Sequence, residues 1–430
     1  MKIHAVTIGG FKNISNIRLS FDSITALVSL NNFGKSNVLT AIDFGLDFIN
    51  GTVADKSDMM ANTDYVPLNK SMVGQNFHFE LDLHTFTDSD NKEYQVIYGF
   101  EFCWKTDETK DPYIVSEDLR YRPINNGQKF TQLIKRNEEK ALYKSSVTGR
   151  CSSKIKVGSA ELVVNKLLAY DDIFSAQIIQ KLNSLKFYME NHLDVKRFYQ
   201  ADPILRKGLD DVAITAINLP RVVYLLKEKY KEKYDLLIEV YKELFPSIEN
   251  VIVKKFNFNA KDADNLPDEA PFVIAKELHV LFVKDEKLAQ PIDFAMMSDG
   301  AKRVFMILVK LVLADVSNVS LIAIEEPENS VHPSLFQAYI QIISQLVSDC
   351  RIIITSHSPY IVGYLDPLWI YVGINRKPGV ADFYTFKKNG SNLLQREADM
   401  YDMGMGDYLF SLLSDDETDW TEYLECNANG

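Results

Sequence analysis

The apolar positions near the N-terminus first alternate with polar ones and then change to a helical spacing. Residues 3–8 and 17–21 alternate, and an apolar run follows from Ile24 to Leu30, which predicts short strands. Residues 35–50 place apolar side chains at helical spacing and end before Gly51, a residue that favours a helix end. The stretch therefore predicts strands, a turn and then a helix.

The following part of the chain alternates apolar and polar positions in several separate segments. Residues 55–74 are polar and predict a loop before the first of these segments. The alternation predicts strands at 77–86, 94–104, 113–121, 130–136 and 141–146. Because polar turns separate them, we expect an antiparallel sheet that extends the N-terminal lobe.

Helical periodicity returns from about residue 160 to Phe245, where Pro246 ends it. One long apolar stripe runs from Leu225 to Leu244, with lysines and glutamates on the opposite face. We interpret this region as a helical insertion. The charged run from Lys227 to Lys233 is typical of a solvated helix face, and a nucleic-acid patch is the alternative. Strand patterns resume at 251–258 and 272–283.

Three apolar runs dominate the C-terminal half. The run from Val304 to Val316 contains Lys310 and Asp315, so it predicts a buried helix and is too short and too charged to span a membrane. The runs at 321–324 and 351–354 predict strands buried on both faces of a parallel sheet. Each of the two strands leads into a polar cluster.

Gly34, Lys35 and Ser36 lie between the third predicted strand and the first helix. This is the context of a phosphate-binding P-loop, in which backbone N–H groups and the helix N-terminus face the phosphates. Lys35 would reach the β- and γ-phosphates, and the Ser36 hydroxyl would bind Mg²⁺. Further nucleotide-contacting residues in this loop are predicted to be Asn31, Asn32 and Asn37.

One position departs from the P-loop pattern, since Ser29 stands where G-x-x-x-x-G-K-S has its first glycine. A serine there can strain the loop or weaken nucleotide binding, because glycine serves where backbones approach closely. The alternative to a nucleotide site is an ordinary strand-to-helix turn that a serine caps.

Two carboxylates, Glu325 and Glu326, follow the apolar run at 321–324. Ligands gather at the carboxyl ends of strands in an open α/β sheet. Glu325 would hold the Mg²⁺ shell, and Glu326 would polarise the attacking water. His357 follows the second run and could contact the γ-phosphate or that water. An acidic turn and a structural histidine are the alternatives.

Ser298, Asp299 and Gly300 precede the apolar helix that begins near Val304. A small hydroxyl, a glycine and a helix N-terminus together favour anion binding. The alternative is a simple N-capped helix, because serine and aspartate are both good N-caps.

Composition narrows the class of protein further. The chain has 430 residues, 46% of them hydrophobic and 25% charged, which predicts a globular protein with two or three domain-sized units. Its net charge of −12 argues against a general nucleic-acid binder. Four widely spaced cysteines and an N-terminus without an apolar signal segment favour a cytoplasmic protein with no membrane partner.

The order of these motifs resembles that of ABC-type ATPases of the RecF/SMC/OLD class, often described as AAA-family ATP-binding proteins. The P-loop, residues 298–300, residues 324–329 with His332, and residues 355–359 carry the resemblance. It implies an α/β ABC-ATPase head with a mixed central sheet, an antiparallel β lobe and a helical insertion. The expected division is an N-terminal ATPase lobe at 1–160, the helical insertion at 161–250, a C-terminal ATPase lobe at 251–375, and an extension with an acidic tail at 376–430.

The same resemblance assigns roles to individual residues. Lys35 and Ser36 are the Walker A residues, Glu325 and Glu326 the Walker B pair with Glu326 as catalytic base, and His357 the switch histidine. Ser298, Asp299 and Gly300 form the signature motif that contacts the γ-phosphate of the opposite subunit, and Lys12 lies where the class often has a basic residue near the nucleotide. The implied cofactors are ATP and Mg²⁺.

The resemblance extends to stand-alone OLD-like ATPases of two-gene anti-phage systems such as Septu and PARIS. OLD nucleases carry a TOPRIM domain after the switch histidine, whereas the 73 residues after His357 contain no Asp-x-Asp pair. We therefore expect a sensor or scaffold subunit that hydrolyses ATP slowly, forms a homodimer or higher oligomer through an ATP sandwich, and controls a separate effector, a nuclease or a toxin. DNA is a further possible partner. The alternatives are a RecF/SMC-type repair ATPase and a nucleotide-gated scaffold with little turnover.

Overall fold

The computed structural model describes residues 1–86, 92–106, 111–124, 127–170, 176–190, 199, 204–206, 218–257, 269, 272–329, 331–415 and 417–426. Within these ranges the strands are β1 (Lys2–Phe11), β2 (Ile14–Ser20), β3 (Ile24–Val28), β4 (Phe77–Phe86), β5 (Glu93–Phe102), β6 (Ile114–Pro123), β7 (Thr131–Arg136), β8 (Ala141–Lys144), β9 (Cys151–Ile155), β10 (Phe187–Glu190), β11 (Ile204–Arg206), β12 (Ile248–Asn257), β13 (Phe272–Ile274), β14 (Glu277–Asp285), β15 (Ile292–Asp293), β16 (Leu321–Glu325), β17 (Arg351–Ser356), β18 (Ile370–Ile374) and β19 (Asp382–Thr385).

The α-helices in the same ranges are α1 (Lys35–Asn50), α2 (Val53–Met60), α3 (Val163–Lys166), α4 (Ala176–Leu182), α5 (Leu219–Lys229), α6 (Lys231–Leu244), α7 (Asp299–Val316), α8 (Pro333–Ile343), α9 (Tyr360–Tyr364), α10 (Gly390–Met400) and α11 (Met405–Leu413). None of the helices that the structure describes is long and apolar enough to cross a membrane.

The chain forms two compact units. Unit 1 comprises Met1–Met189, Ser320–Glu326 and Arg351–Gly430, and unit 2 comprises Glu190–Val319 and Pro327–Cys350. The four-part division expected from the sequence stays a prediction.

An antiparallel sheet forms the β lobe of unit 1, with strand order β2-β1-β4-β5-β6-β7-β8-β9. Aromatic side chains fill the space between this sheet and α1. The Phe44 ring on α1 lies 5.1 Å from that of Phe77, which lies 5.0 Å from Phe102, and the Phe102 ring lies 4.8 Å from Trp104. Such packing removes large apolar surfaces from water and fixes the helix against the sheet.

The second sheet has the order β10-β16-β17-β3-β18-β19. Strands β16, β17, β3 and β18 run parallel, and β19 pairs antiparallel with β18. All five residues of β3 are buried, as expected for a strand covered on both faces. The structure thus confirms the α/β class with a mixed central sheet and an antiparallel lobe.

In unit 2, β12, β14 and β15 form a separate sheet beside α5 and α6. The apolar helix α7 is the core element, and the Tyr241 hydroxyl on α6 donates to the Ala301 carbonyl at its start over 3.3 Å. A buried ion pair joins Lys310 Nζ to Glu190 Oε2 at 3.7 Å. Burial lowers the pKa of Lys310 below its ordinary value, and the Glu190 carboxylate offsets this shift only in part.

Several local expectations were wrong. The polar stretch expected to be a loop contains α2, whose first turn is held by a reciprocal pair of bonds between Thr52 and Asp55. The single apolar stripe at 225–244 is divided between α5 and α6, which meet at Tyr230. In the charged run, by contrast, residues 227–232 are exposed, as expected for a solvated helix face, and Lys233 at its end forms an ion pair with Asp315 at 2.7 Å. Parts of the predicted helical insertion lie outside the described residues.

Candidate functional site

Strand register brings the predicted site residues of unit 1 to one edge of the central sheet. Glu325 at the end of β16 pairs with Thr355 on β17, and Thr355 pairs with Leu27 on β3. Neighbouring strands lie about 4.8 Å apart, so the segments that follow these three strands emerge side by side. They are the P-loop, the turn that begins with Glu326, and the turn that contains His357.

The P-loop turn depends on two left-handed backbone positions. Asn32 has φ 58° and Gly34 has φ 127°. A Cβ at Gly34 would lie 2.9 Å from both Ala381 Cβ and Asn13 Nδ2, so glycine is required there both for its backbone and for space. Asn31, Asn32 and Ser36 are exposed, as nucleotide-contacting residues must be.

The Lys35 ammonium is buried within the loop. It donates to the Ser29 carbonyl at 2.9 Å, to the Leu30 carbonyl at 3.1 Å and to Ser29 Oγ at 3.2 Å. Lys35 is the first residue of α1, so its side chain is anchored on a rigid element. Loop oxygens thus hold the ammonium at the start of α1, where a helix N-terminus favours anions.

Ser29 replaces the expected glycine without backbone strain, because it is not among the residues with positive φ. Its side chain is fully buried, and its hydroxyl lies 3.0 Å from the Leu30 carbonyl. The space it needs comes from Gly373 on the neighbouring strand β18, where an added Cβ would lie 2.8 Å from Ser29 Cβ. The expectation that Ser29 strains the loop is thus wrong for its backbone.

Asn13, in the turn between β1 and β2, supports the loop and was missed by the sequence analysis. Its Nδ2 donates to the Phe33 carbonyl at 3.1 Å, and its Oδ1 accepts from Asn37 Nδ2 at 2.8 Å. Asn37 is thereby tied to this turn. A single asparagine in a hairpin gives no signal in the sequence that it will meet a loop twenty residues later.

Lys12 lies beside Asn13 in a left-handed conformation with φ 47°. Its N–H donates to the Tyr65 carbonyl at 2.8 Å, and its Nζ lies 5.1 Å from the centroid of the Tyr65 ring. This is a cation–π contact. Lys12 thus lies in the same turn as Asn13, which supports the P-loop. The predicted contact of Lys12 with the nucleotide stays a prediction.

The side chains of Glu326 and His357 contact each other at the sheet edge. His357 Nδ1 lies 3.0 Å from Glu326 Oε1, and both side chains are about a third exposed, at 38% and 37%. Glu326 has φ 48°, which is uncommon for a non-glycine residue, and its N–H donates to the Thr355 carbonyl at 2.9 Å. Strained positions of this kind cluster at functional sites.

Glu325 faces a different environment from Glu326. Its Oε1 is buried and has no hydrogen-bond partner in the part of the chain that the structure describes. A buried carboxylate oxygen without a partner is costly, which suits it to a cation. Glu325 and the exposed Ser36 hydroxyl would offer the oxygen ligands that Mg²⁺ prefers. The residues present therefore fit the metal that the P-loop implies.

Ser298, Asp299 and Gly300 belong to unit 2. Ser298 caps α7 by accepting a hydrogen bond from the Ala301 N–H at 3.3 Å, and Asp299 Oδ1 lies 2.9 Å from Lys302 Nζ. Ser298 and Asp299 are exposed. The N-capped helix is thus observed, and the proposed contact with a nucleotide of another subunit stays a prediction.

Solved structures similar to this chain are heads of SMC proteins. The SmcHead bound to the C-winged helix domain of ScpA has 13% sequence identity and a TM-score of 0.48, and the match covers 91% of this chain and 100% of that one. The SMC head domain from Thermotoga maritima has 11% identity and a TM-score of 0.42, with 90% of this chain and 100% of that one covered. An Smc head domain with an extended coiled coil bound to the C-terminal domain of ScpA derived from Pyrococcus furiosus has 12% identity and a TM-score of 0.42, with 93% of this chain and 99% of that one covered.

No curated protein matches the sequence. The sequence does match the AAA ATPase domain family (AAA_15) over residues 1–362. Because this match spans most of the chain, the protein belongs to the AAA ATPase domain family.

Proposed function

We propose that this protein binds Mg²⁺–ATP at the P-loop and hydrolyses it to ADP and phosphate. The observation that carries the proposal is the 3.0 Å contact between Glu326 and His357, at the sheet edge from which the P-loop also emerges. A carboxylate that contacts a histidine beside a phosphate-binding loop can serve as the base for a water that attacks a phosphate.

Each residue has a distinct role in this proposal. Lys35 and the loop N–H groups bind the phosphates, and Ser36 and Glu325 hold Mg²⁺, which when bound neutralises phosphate charge. Glu326 accepts the proton of the attacking water. His357 orients the Glu326 carboxylate through its Nδ1, while the hydrogen bond from the Glu326 N–H to Thr355 fixes the backbone of that turn.

We also propose that ATP joins two copies of the chain. Ser298, Asp299 and Gly300 of one copy would contact the γ-phosphate bound by the other, and the exposure of Ser298 and Asp299 permits this contact. The closed assembly would then control a separate effector protein in anti-phage defence. Support for this last step comes from the order of motifs in the sequence alone.

A phosphate-release assay tests the proposal. The Glu326→Gln variant keeps the size of the side chain but cannot accept a proton, so we expect a rate roughly 10²–10⁴-fold lower with ATP binding retained. Glu286→Gln, the same chemical change at an exposed position of unit 2, is the matched control and should hydrolyse ATP at the parent rate. Parent-like hydrolysis by Glu326→Gln would place the base elsewhere.

A nucleotide-gated scaffold with little turnover is the second candidate. The hydrogen bond from Lys35 to Ser29 Oγ favours it, because this hydroxyl holds the lysine that should stabilise the transferred phosphate. In that case the parent protein would release almost no phosphate, yet ATP would still change its oligomeric state. Sedimentation with and without ATP, run beside the phosphate assay, separates the two candidates.

A further inference from the structure

A surface groove opens in unit 1 directly after the candidate catalytic turn. Its volume is about 440 Å³, and its walls come from α9 with the following turn and from the start of α11. Val362 and Leu365 line one side, and Met405 and Gly406 the other. Pro359 also lines the groove, and it lies two positions after His357 in the chain. The size is within the range of pockets that hold a ligand or a few anchoring side chains.

Tyr360 lines the groove, and further exposed apolar side chains lie close in sequence to its lining residues Pro367 and Gly404. Met400 is 81% exposed, Tyr401 68%, Leu368 54% and Tyr360 49%. Exposed apolar residues are unremarkable singly, but several of them on the segments that form a groove favour an interaction surface. Methionines are frequent at surfaces that accept varied partners, because their side chains are flexible and polarisable.

The charge of this region is strongly acidic. Residues 390–430 contain ten acidic side chains and a single basic one, Arg396. Asp407 lines the groove, and Asp399 and Asp402 are exposed next to Met400 and Tyr401. Most of the net charge of −12 is therefore concentrated in this segment. An apolar groove on an acidic segment, with Asp407 in its lining, attracts cationic partners and repels anionic ones.

We propose that this groove binds a segment of a partner protein in which apolar side chains are flanked by lysine or arginine. The apolar side chains enter the groove, and the cationic ones pair with Asp402 and Asp407. Charge complementarity selects this occupant over an acidic peptide or a second copy of this acidic chain. The inference does not depend on the proposed ATP hydrolysis.

Gly363 lines the groove and offers a position at which a side chain can be added. A Cβ added at Gly363 meets no heavy atom within 4 Å, so Gly363→Leu places a side chain in the open space. Gly406 is unsuitable, because a Cβ there would lie 1.9 Å from the Pro359 carbonyl oxygen. The double variant Asp402→Asn with Asp407→Asn removes the two negative charges proposed to pair with the partner. Asn tolerates the left-handed backbone of Asp402.

The probe is a fluorescent synthetic amphipathic peptide of leucine and lysine, measured by anisotropy without nucleotide. We expect binding that Gly363→Leu weakens by roughly tenfold or more and that the double Asn variant weakens in a salt-dependent manner. Asp58→Asn with Glu286→Gln, which removes the same charge at exposed positions elsewhere, should bind as the parent does. Thermal melting confirms that each variant is folded.

Three results would overturn the proposal. The first is that Gly363→Leu binds the leucine–lysine peptide as tightly as the parent does. The others are that the parent binds a leucine–glutamate peptide, or polylysine, which has the charge but no apolar side chains, as tightly as it binds the leucine–lysine peptide. Dimerisation of the parent that Gly363→Leu abolishes, seen by sedimentation, would instead assign the groove to a second copy.

Discussion

Gly373 on β18 lies against Ser29 at the entrance of the P-loop, and the two positions share one small volume. A Cβ at Gly373 would approach Ser29 Cβ to 2.8 Å and the Phe33 ring to 2.6 Å. The serine that departs from the P-loop pattern is therefore accommodated by a glycine more than three hundred residues away in the chain.

Gly373→Ala should destabilise the protein and weaken ATP binding, because the added methyl group displaces both Ser29 and Phe33. Overpacking of this kind costs about 1–3 kcal/mol. Adding Ser29→Gly should recover part of the loss, since it removes one of the two clashes. Thermal melting and ATP titration measure both effects. Gly363→Ala, where the methyl group meets open space, is the control, and equal effects of the two alanine substitutions would contradict the packing argument.

Lys35→Ala should lower ATP affinity by on the order of 100-fold, because it removes the charge that opposes the phosphates in a preorganised loop. Calorimetry with ATP measures the change. Lys70→Ala removes an exposed lysine of the same unit and should leave the affinity unaltered. An unchanged affinity in Lys35→Ala would remove the P-loop assignment.

Glu325→Gln should raise the Mg²⁺ concentration needed for ATP binding, because the amide oxygen is a weaker ligand than the carboxylate. Titration of Mg²⁺ at fixed ATP gives this concentration directly. Without nucleotide the variant should be at least as stable as the parent, since it replaces a buried, unpartnered carboxylate oxygen. Identical Mg²⁺ curves for parent and variant would contradict the assignment of Glu325 as a metal ligand.

Asp43 on the P-loop helix α1 should make stability depend on pH. Burial, and secondarily the Asp47 carboxylate one turn away, raise the pKa of Asp43 from 3.8 to about 6. The folded state thus holds the Asp43 proton more tightly than the unfolded state does. The protonated carboxyl therefore stabilises the fold fully below pH 3.8, and this contribution to the free energy of unfolding is lost as pH rises through about 6. Asp43→Asn should therefore stabilise the protein at pH 7.5 by about 1–2 kcal/mol, after allowance for solvent screening.

Denaturant unfolding between pH 4 and 8 measures this effect. The difference between Asp43→Asn and the parent should shrink towards pH 4. Asp58→Asn, at an exposed position of the neighbouring helix α2, should show no such trend. A constant difference at all pH values would exclude titration of Asp43 as the cause.

Elements with strong periodicity were predictable from the sequence. The bounds of α1 agree with the prediction, and the apolar runs at 321–324 and 351–354 form β16 and β17, which both extend beyond the runs, because a buried apolar run has few alternatives. By contrast, β9 was missed since Cys151–Ile155 is mostly polar. Helix α2 was missed although Thr52 and Asp55 carry a capping signal, because its composition is that of a loop.

The candidate site was predictable in its residues but not in its contacts. Motif spacing identified Lys35, Glu326 and His357 individually. The hydrogen bonds of Asn13 to the P-loop depend on tertiary packing between segments that no local pattern links. The same holds for the left-handed backbone of Glu326, because glutamate has no intrinsic preference for it.

The in-register pairing of β16 with β17 makes the Glu326–His357 contact depend on strand length. Removing one residue from the apolar run Ile352–Ile354 would leave every proposed catalytic residue in the chain. It would nevertheless shift all side chains that follow to the opposite face of the sheet and take His357 away from Glu326. Among relatives of this protein, the number of residues in β17 is therefore as informative about activity as the presence of the histidine itself.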